Sequence, residues 1–300
     1  MTLGRRAALV LAAPWSLTGC GPRRKRPPPV SVHGVVGGPY QAGGGFEYPR
    51  AQIEYDRSGL AVVLSRHGPT TADGAPWDDT AMIASHPTLQ LPAVVRVTNL
   101  ETGRDVLVRL DDRGPGVPGR LLGVSPRVAT LLEPGSEPGV FRVRVQIDPD
   151  LSRAVSEQAG GAETVTIAAA PLTGVTAEPL SPPPGIGVAA GRSATARGPV
   201  AAGQAVAAVV PLRLPEQVTV GTPRPGSLYV EAGTFSRPDY ARLLVARLAG
   251  QGATLSTSYA AERDEAYRVR IGPLATVAEA DAALDQAWRA GVVGARIIVD

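Results

Sequence analysis

Over 141–147 apolar and polar residues alternate strictly. Phe141, Val143, Val145 and Ile147 fall on one side, Arg142, Arg144 and Gln146 on the other. A period of two is that of a half-buried strand. Residues 94–98 and 106–110 read as two more strands, and 99–104, with Gly103, as the hairpin loop between them. Ser125-Pro126 opens a short helix through Leu132, with Ser as N-cap and Pro in the first turn. Mostly strands with one or two short helices predicts a small barrel over 33–150.

The pattern then changes. Residues 151–222 contain no Phe, Tyr or Trp, are rich in Ala, Gly, Pro and Val, and carry Pro182-Pro183-Pro184-Gly185. No apolar face of useful period is present, so a mostly disordered linker is expected, with 206–210 as a short strand within it.

Periodicity returns in 223–300, twice over. Gly233, Ala241 and Gly252 recur as Gly272, Ala280 and Gly291 at a constant offset. Each half is a strand followed by a helix, and the strands are expected at 227–234, 253–258, 266–272 and 295–299. Ser236 is read as the first helix cap, with Pro238 near the first turn. Thr276 is read as the second, with Glu279 at the capping-box position. Tyr240, Leu243, Leu244 and Leu248 make an apolar stripe on the first helix. Ala280, Ala283, Leu284, Ala287 and Trp288 make one on the second. The result is a βαβ-βαβ, ferredoxin-like sheet with helices on one face and the other face open for binding. By strand parity Tyr229, Glu231, Gly233 and Phe235 share a side, and Arg268 and Arg270 share a parity on the third strand that would flank the same face. Parity alone leaves open whether Tyr229 and Tyr267 face solvent or core.

Composition narrows the chemistry. One Cys in 300 residues excludes an internal disulfide framework, and with three His it makes a His/Cys metal cage an unpromising reading. No cofactor is expected. The net charge of +3 would suit a nucleic-acid partner if spread over a surface. It is instead concentrated in Arg5, Arg6, Arg23, Arg24, Lys25 and Arg26. Neither folded segment shows a basic stripe, so nucleic acid is not an expected partner. Arg5-Arg6, the short apolar run 7–13 and Leu17-Thr18-Gly19-Cys20 resemble a bacterial lipoprotein leader. That resemblance implies loss of 1–19, lipidation of Cys20, and a basic, Pro-rich tether over 20–32. The acyl chains would anchor a periplasm-facing protein in a lipid bilayer. Gly21 after the cysteine favours the outer membrane over the inner.

The loops of the first segment carry the most telling residues. Thr71-Ala72-Asp73-Gly74, Asp78, His86, Val95-Arg96-Val97-Thr98-Asn99-Leu100, Gly103-Arg104, Asp111-Asp112-Arg113-Gly114-Pro115 and Gly119-Arg120 follow in that order. This order resembles the rare lipoprotein A family and implies a six-stranded double-psi β-barrel. Leu228-Tyr229-Val230-Glu231-Ala232-Gly233 and Tyr267-Arg268-Val269-Arg270-Ile271-Gly272-Pro273 resemble a SPOR domain. The two resemblances imply a septal lytic transglycosylase acting on peptidoglycan glycan strands that lack stem peptides, with proteins of the division septum as further partners.

Such chemistry forms a 1,6-anhydro end without water. It needs an acid for the leaving oxygen and a base for the attacking hydroxyl. The resemblance makes Asp112 the candidate carboxyl, with His86 and Asp78 as candidate helpers. It makes Tyr229, Glu231, Arg268 and Arg270 candidate glycan contacts on the SPOR sheet. The family's Glu after Thr-Ala-Asn-Gly is missing, because Ala75 stands there, and Asp111 replaces an Asn. Three readings follow: Asp112 acts alone; Asp73, Asp78 or Asp111 takes over; or the barrel binds glycan without cutting it. An expansin-like wall-loosening role is a further class. Bland roles stand beside each candidate: an Asp112–Arg113 ion pair, a structural His86, and a turn cap at Asp78.

Overall fold

The computed structural model describes residues 32–43, 45–64, 70–135, 139–160, 213–259 and 265–300. Cys20, the leader, His67 and the expected strand at 206–210 lie outside the described residues. None of the described helices is long and apolar enough to cross a membrane.

A small hairpin comes first, β1 (Tyr40–Ala42) with β2 (Gly45–Glu47). Six strands then form the barrel: β3 (Asp56–Val63), β4 (Ile83–Ser85), β5 (Ala93–Asn99), β6 (Arg104–Asp112), β7 (Arg120–Val124) and β8 (Val140–Ile147). Their order is β4-β7-β3-β8-β5-β6, and β4 pairs with β6 to close the ring. The β3–β7 and β4–β6 pairs are parallel and the rest antiparallel, which gives the double-psi arrangement expected from the sequence motifs. The alternation of β8 puts Phe141, Val143 and Val145 in a core that also holds Leu110, Leu122 and Leu132. The β4 pairing covers β6 over Arg109–Asp112.

Helix α1 (Pro126–Leu132) starts where expected. Ser125 Oγ accepts the Val128 N–H at 3.3 Å, and Pro126 sits in the first turn. Asn99, at the β5–β6 hairpin, ties down the other end of α1 through Nδ2 and the Leu132 carbonyl at 3.1 Å. Beyond residue 150 the structure departs from the expected linker. Helix α2 (Pro149–Gln158) is capped by Asp148, whose carboxylate accepts the Leu151 N–H at 3.0 Å. Ser152 and Val155 bury one face of α2, and Ser152 Oγ bonds both backbone groups of Val94. So few apolar residues give no visible stripe, which is why periodicity missed this helix. At the far end of the linker, β9 (Val218–Val220) adds to the edge of β6.

The C-terminal unit holds β10 (Leu228–Phe235), α3 (Pro238–Arg247), β11 (Ala253–Tyr259), β12 (Glu265–Leu274), α4 (Val277–Arg289) and β13 (Arg296–Val299). The antiparallel order β11-β12-β10-β13 is ferredoxin-like, as expected. Thr276 caps α4, accepting the Glu279 N–H at 3.1 Å, and Glu279 returns a bond to the Ala275 N–H at 2.9 Å. Helix α3 corrects two expectations. Its N-cap is Arg237, not Ser236, with no side-chain cap bond. Its inner face is Ala241, Leu244, Val245 and Leu248, while Tyr240 and Leu243 are exposed. Apolar residues nearly encircle α3, so the pattern allowed either stripe.

The two units meet along a packed seam. Leu60 of β3 is fully buried against the C-terminal core. Arg120 grips Asp281 with both terminal nitrogens, at 2.5 and 2.9 Å. Gly119, at φ +71°, leaves room for Ile297 and Leu284 that a Cβ would fill.

Candidate functional site

Asp112 is the last residue of β6, and β4 lies parallel beside it with Ser85 in register. Two backbone–backbone bonds and one from a backbone amide to a side chain lock the surrounding loops to this strand end. The His86 N–H reaches the Asp112 carbonyl at 3.0 Å, and the Asp73 N–H reaches the Asp111 carbonyl at 3.1 Å. The Ala72 N–H donates to Asp112 Oδ1 at 2.9 Å. The Asp112 side chain is therefore aimed and mostly buried, with 5% exposure. Arg113 comes next in the chain. Its guanidinium clasps the carbonyls of Leu89 and Val36, which fixes the loop that follows β6.

The Thr71–Ala75 turn is internally bonded. Gly74 adopts φ +89°, which suits glycine. Asp73 Oδ1 lies 2.6 Å from Thr71 Oγ1 and 3.0 Å from the Ala75 nitrogen. Ala75 itself is buried with Val32 and Ala159 in a small apolar cluster. Position 75 is thus packed beside the segment before the barrel and the residue that caps α2.

Two further carboxyls lie under this turn. Asp111 is fully buried and takes both Nε and Nη2 of Arg109, at 2.5 and 2.6 Å. Burial nevertheless outweighs that partner, and the neighbouring Asp73 adds to it, so Asp111 is pushed up to about 6. Burial also raises Asp73 above the usual carboxylate range. The Asn-to-Asp change visible at position 111 was the only sequence signal for this pair.

His86 has no solvent exposure. Its Nδ1 accepts the N–H groups of Thr88 and Leu89, each at 3.1 Å. Nδ1 therefore carries no proton, and Nε2 donates to the Tyr55 hydroxyl at 2.9 Å. Burial, then the charge of Arg113, drops His86 to about 3, and burial lifts Tyr55 to about 12. A ring so held is neutral throughout the physiological range, which fits the structural alternative and not a proton carrier. Asp78 is exposed on a turn, where its Oδ1 accepts the Thr80 N–H and hydroxyl at 2.9 and 2.7 Å. Those bonds hold it below the usual carboxylate range, so it is a turn cap. It also lines a cavity of about 300 Å³ with Ala75, Met82 and Arg109. No described group of three or more His, Cys, Asp or Glu is placed to hold a metal.

On the C-terminal sheet a bulge changes the parity. Glu231 pairs with Arg270, but after the irregularity Gly233 pairs with Val269 and Thr234 with Arg268. Glu231 and Thr234 therefore share the open side with Arg268 and Arg270. Gly233 and Phe235 turn toward the helices, where Phe235 packs on the core, as does Tyr267. The expectation that Gly233 and Phe235 share a side with Glu231 fails for this reason. Glu231 is mostly buried and bonded to Arg296 at 2.9 Å and Thr234 at 3.1 Å. Arg270 stacks over the Tyr229 ring at 5.6 Å and pairs with Asp300. Tyr229, Glu231 and Arg270 thus form one pre-ordered polar cluster.

Comparison with known proteins matches residues 57–145 to the family model described as lytic transglycolase, and residues 225–295 to that of the SPOR domain. An endolytic peptidoglycan transglycosylase RlpA of Pseudomonas aeruginosa (strain UCBPP-PA14) is 35% identical over 268 residues, which is 82% of this chain and 71% of that protein. One from Yersinia pestis is 39% identical over 98 residues, 32% of this chain and 27% of that protein. A crystal structure of the RlpA SPOR domain from Pseudomonas aeruginosa is 28% identical and covers 24% of this chain and 99% of its own, with a TM-score of 0.23. With both family models matched in order and a relative aligned over most of both lengths, the chain belongs to the RlpA, or rare lipoprotein A, family.

Proposed function

We propose that this chain is a peptidoglycan lytic transglycosylase that cuts glycan strands lacking stem peptides and is held to them by its SPOR sheet. The observation that carries the reading is Asp112: a mostly buried carboxyl, aimed by the Ala72 N–H at the end of a barrel strand. In the reaction, protonated Asp112 gives its proton to the glycosidic oxygen as the bond to C1 of the muramic sugar breaks. The 6-hydroxyl of the same sugar bonds to C1, and the Asp112 carboxylate takes the hydroxyl proton. No water is consumed, and the acid is regenerated. His86 is a positioning residue that holds the loop after β4 and orients Tyr55.

Lipidation at Cys20, a tether to the outer membrane and enrichment at the division septum complete the proposal. They are supported by the leader motif and by the SPOR match. One observation favours a second reading, in which the barrel binds glycan without cutting it. Position 75, where the resemblance places a second carboxylate, holds Ala75. Stem-free strands incubated with the protein decide between the two: 1,6-anhydro ends support cleavage, and bound but uncut strands support the second reading.

A further inference from the structure

We propose that the seam between the barrel and the SPOR unit is a continuous glycan groove, in which Tyr55 and Arg57 of the barrel form subsites that the SPOR sheet lacks on its own. Three cavities lie along this seam, of about 780, 270 and 230 Å³. The largest runs from Glu231, Arg268 and Arg270 on the SPOR sheet to the start of β3. It shares Tyr55 and Arg57 with the second cavity, and the second shares Tyr55, Thr88 and Arg296 with the third. The third ends at His86 and the Gly114-Pro115-Gly116 loop, which begins two residues after Asp112. Tyr55 lines all three. The path therefore runs from the proposed glycan face to the loop that follows the proposed reacting carboxyl, which itself lines none of the three cavities.

The seam is built, not incidental. Leu60 is fully buried in it, and Arg120 and Asp281 bridge it with two bonds. Its lining is polar and carries charges of both signs, which suits a hydroxyl-rich strand with spaced carboxylates. Arg57 and Tyr55 line it from the barrel and Arg268 and Arg270 from the SPOR unit, alongside the carboxylates Glu54, Asp56, Glu231 and Asp300, which can accept from sugar hydroxyls and amides. A stem-free amino-sugar strand carries hydroxyls and acetamido groups along its length and a free lactyl carboxylate on each muramic residue. Arginine donors match those carboxylates well. The inference rests on the proposed reading that stem-free glycan is the ligand.

The test measures binding of end-labelled, stem-free glycan strands sorted by length, using the full chain in detergent. Asp112→Asn is the background, so that strands stay intact. Arg57→Ala is expected to weaken binding of long strands about tenfold, the loss of a charge-assisted hydrogen bond, and to leave the shortest bound strands unaffected. Arg268→Ala is expected to weaken both, and Arg153→Ala, on exposed α2, neither. Arg57 is exposed, so its loss is not expected to unfold the barrel, and Arg57→Gln with an unchanged melting temperature controls for that. Long-strand binding by Arg57→Ala equal to that of Arg153→Ala, or equal loss on short and long strands, overturns the groove. Absence of anhydro ends in the wild type sinks the proposed reaction but leaves this binding result standing.

Discussion

Ala72 and Asp112 are forty residues apart in the chain, yet the amide of the first sits 2.9 Å from Oδ1 of the second. That bond ties the Thr71–Ala75 turn to the end of β6. It makes the geometry of the candidate acid depend on a turn that has lost its family carboxylate. The same turn is fastened to Asp111 through the Asp73 amide. Changes in this turn are therefore expected to reach Asp112.

Restoring the carboxylate is not free. Ala75 is buried beside Val32 and Ala159 and borders the cavity of about 300 Å³, so Ala75→Glu places a carboxylate in a largely desolvated site. The expected cost is about 3 kcal/mol, read as a lower melting temperature at neutral pH. An unchanged melting temperature would mean that the neighbouring cavity takes the carboxylate without cost.

The Asp73–Asp111 pair predicts a pH signature. Asp111 is held near 6 and Asp73 is also raised, so in the folded state both bind protons more tightly than in the unfolded chain. The stabilising contribution of Asp111 is full below about pH 4 and is lost as pH rises through about 6, and that of Asp73 changes in the same direction. Asp73→Asn removes one charge and keeps the Oδ1 acceptor for Thr71 and Ala75. It is expected to gain about 1 kcal/mol over wild type at pH 7.5, with the gain shrinking toward pH 4. Thermal melts of both proteins across that range check it; a gain independent of pH would argue against the coupled pair.

His86 predicts the opposite sign. Its folded value near 3 lies below the ordinary 6.5, so the unfolded chain binds the extra proton. Stability contributed by the neutral ring is present above about pH 6.5 and is lost as pH falls toward 3. His86→Asn offers an acceptor in place of Nδ1 and cannot charge. It is expected to flatten that acid loss and to keep anhydro-end formation within about tenfold of wild type at pH 7. A loss of about a thousandfold with the fold intact would make His86 a proton carrier after all.

The seam is testable by sterics. A Cβ at Gly119 meets Ile297 and Leu284 in a backbone conformation that favours glycine. Gly119→Val is expected to loosen the two units, seen as faster proteolysis around 213–224 and a larger hydrodynamic radius. The melting of the C-terminal core should change little.

Much of this architecture could be read in advance because its signals are local. The alternation of β8, the Ser125-Pro126 start of α1 and the Thr276–Glu279 cap each sit within a few residues. What escaped depends on distant partners. Helix α2 has few apolar residues, and its place comes from Ser152 meeting Val94. The bulge after Glu231 moved Gly233 and Phe235 to the other side of the sheet, and a bulge leaves no mark in an alternating pattern. At the site, Asp112 emerged from its motif, but the neutral state of His86 required knowing that Thr88, Leu89 and Tyr55 all point at its ring. The packing beside Ala75 comes from Val32 and Ala159, which no motif connects.

The central claim is that Asp112 cuts glycan. Purified stem-free strands, digested by wild type and by Asp112→Asn at neutral pH and analysed by mass spectrometry for 1,6-anhydro ends, test it directly. The account predicts anhydro products from wild type and a loss of about a thousandfold or more in Asp112→Asn, with strand binding retained. Anhydro ends formed equally by both proteins, or by neither, would contradict it.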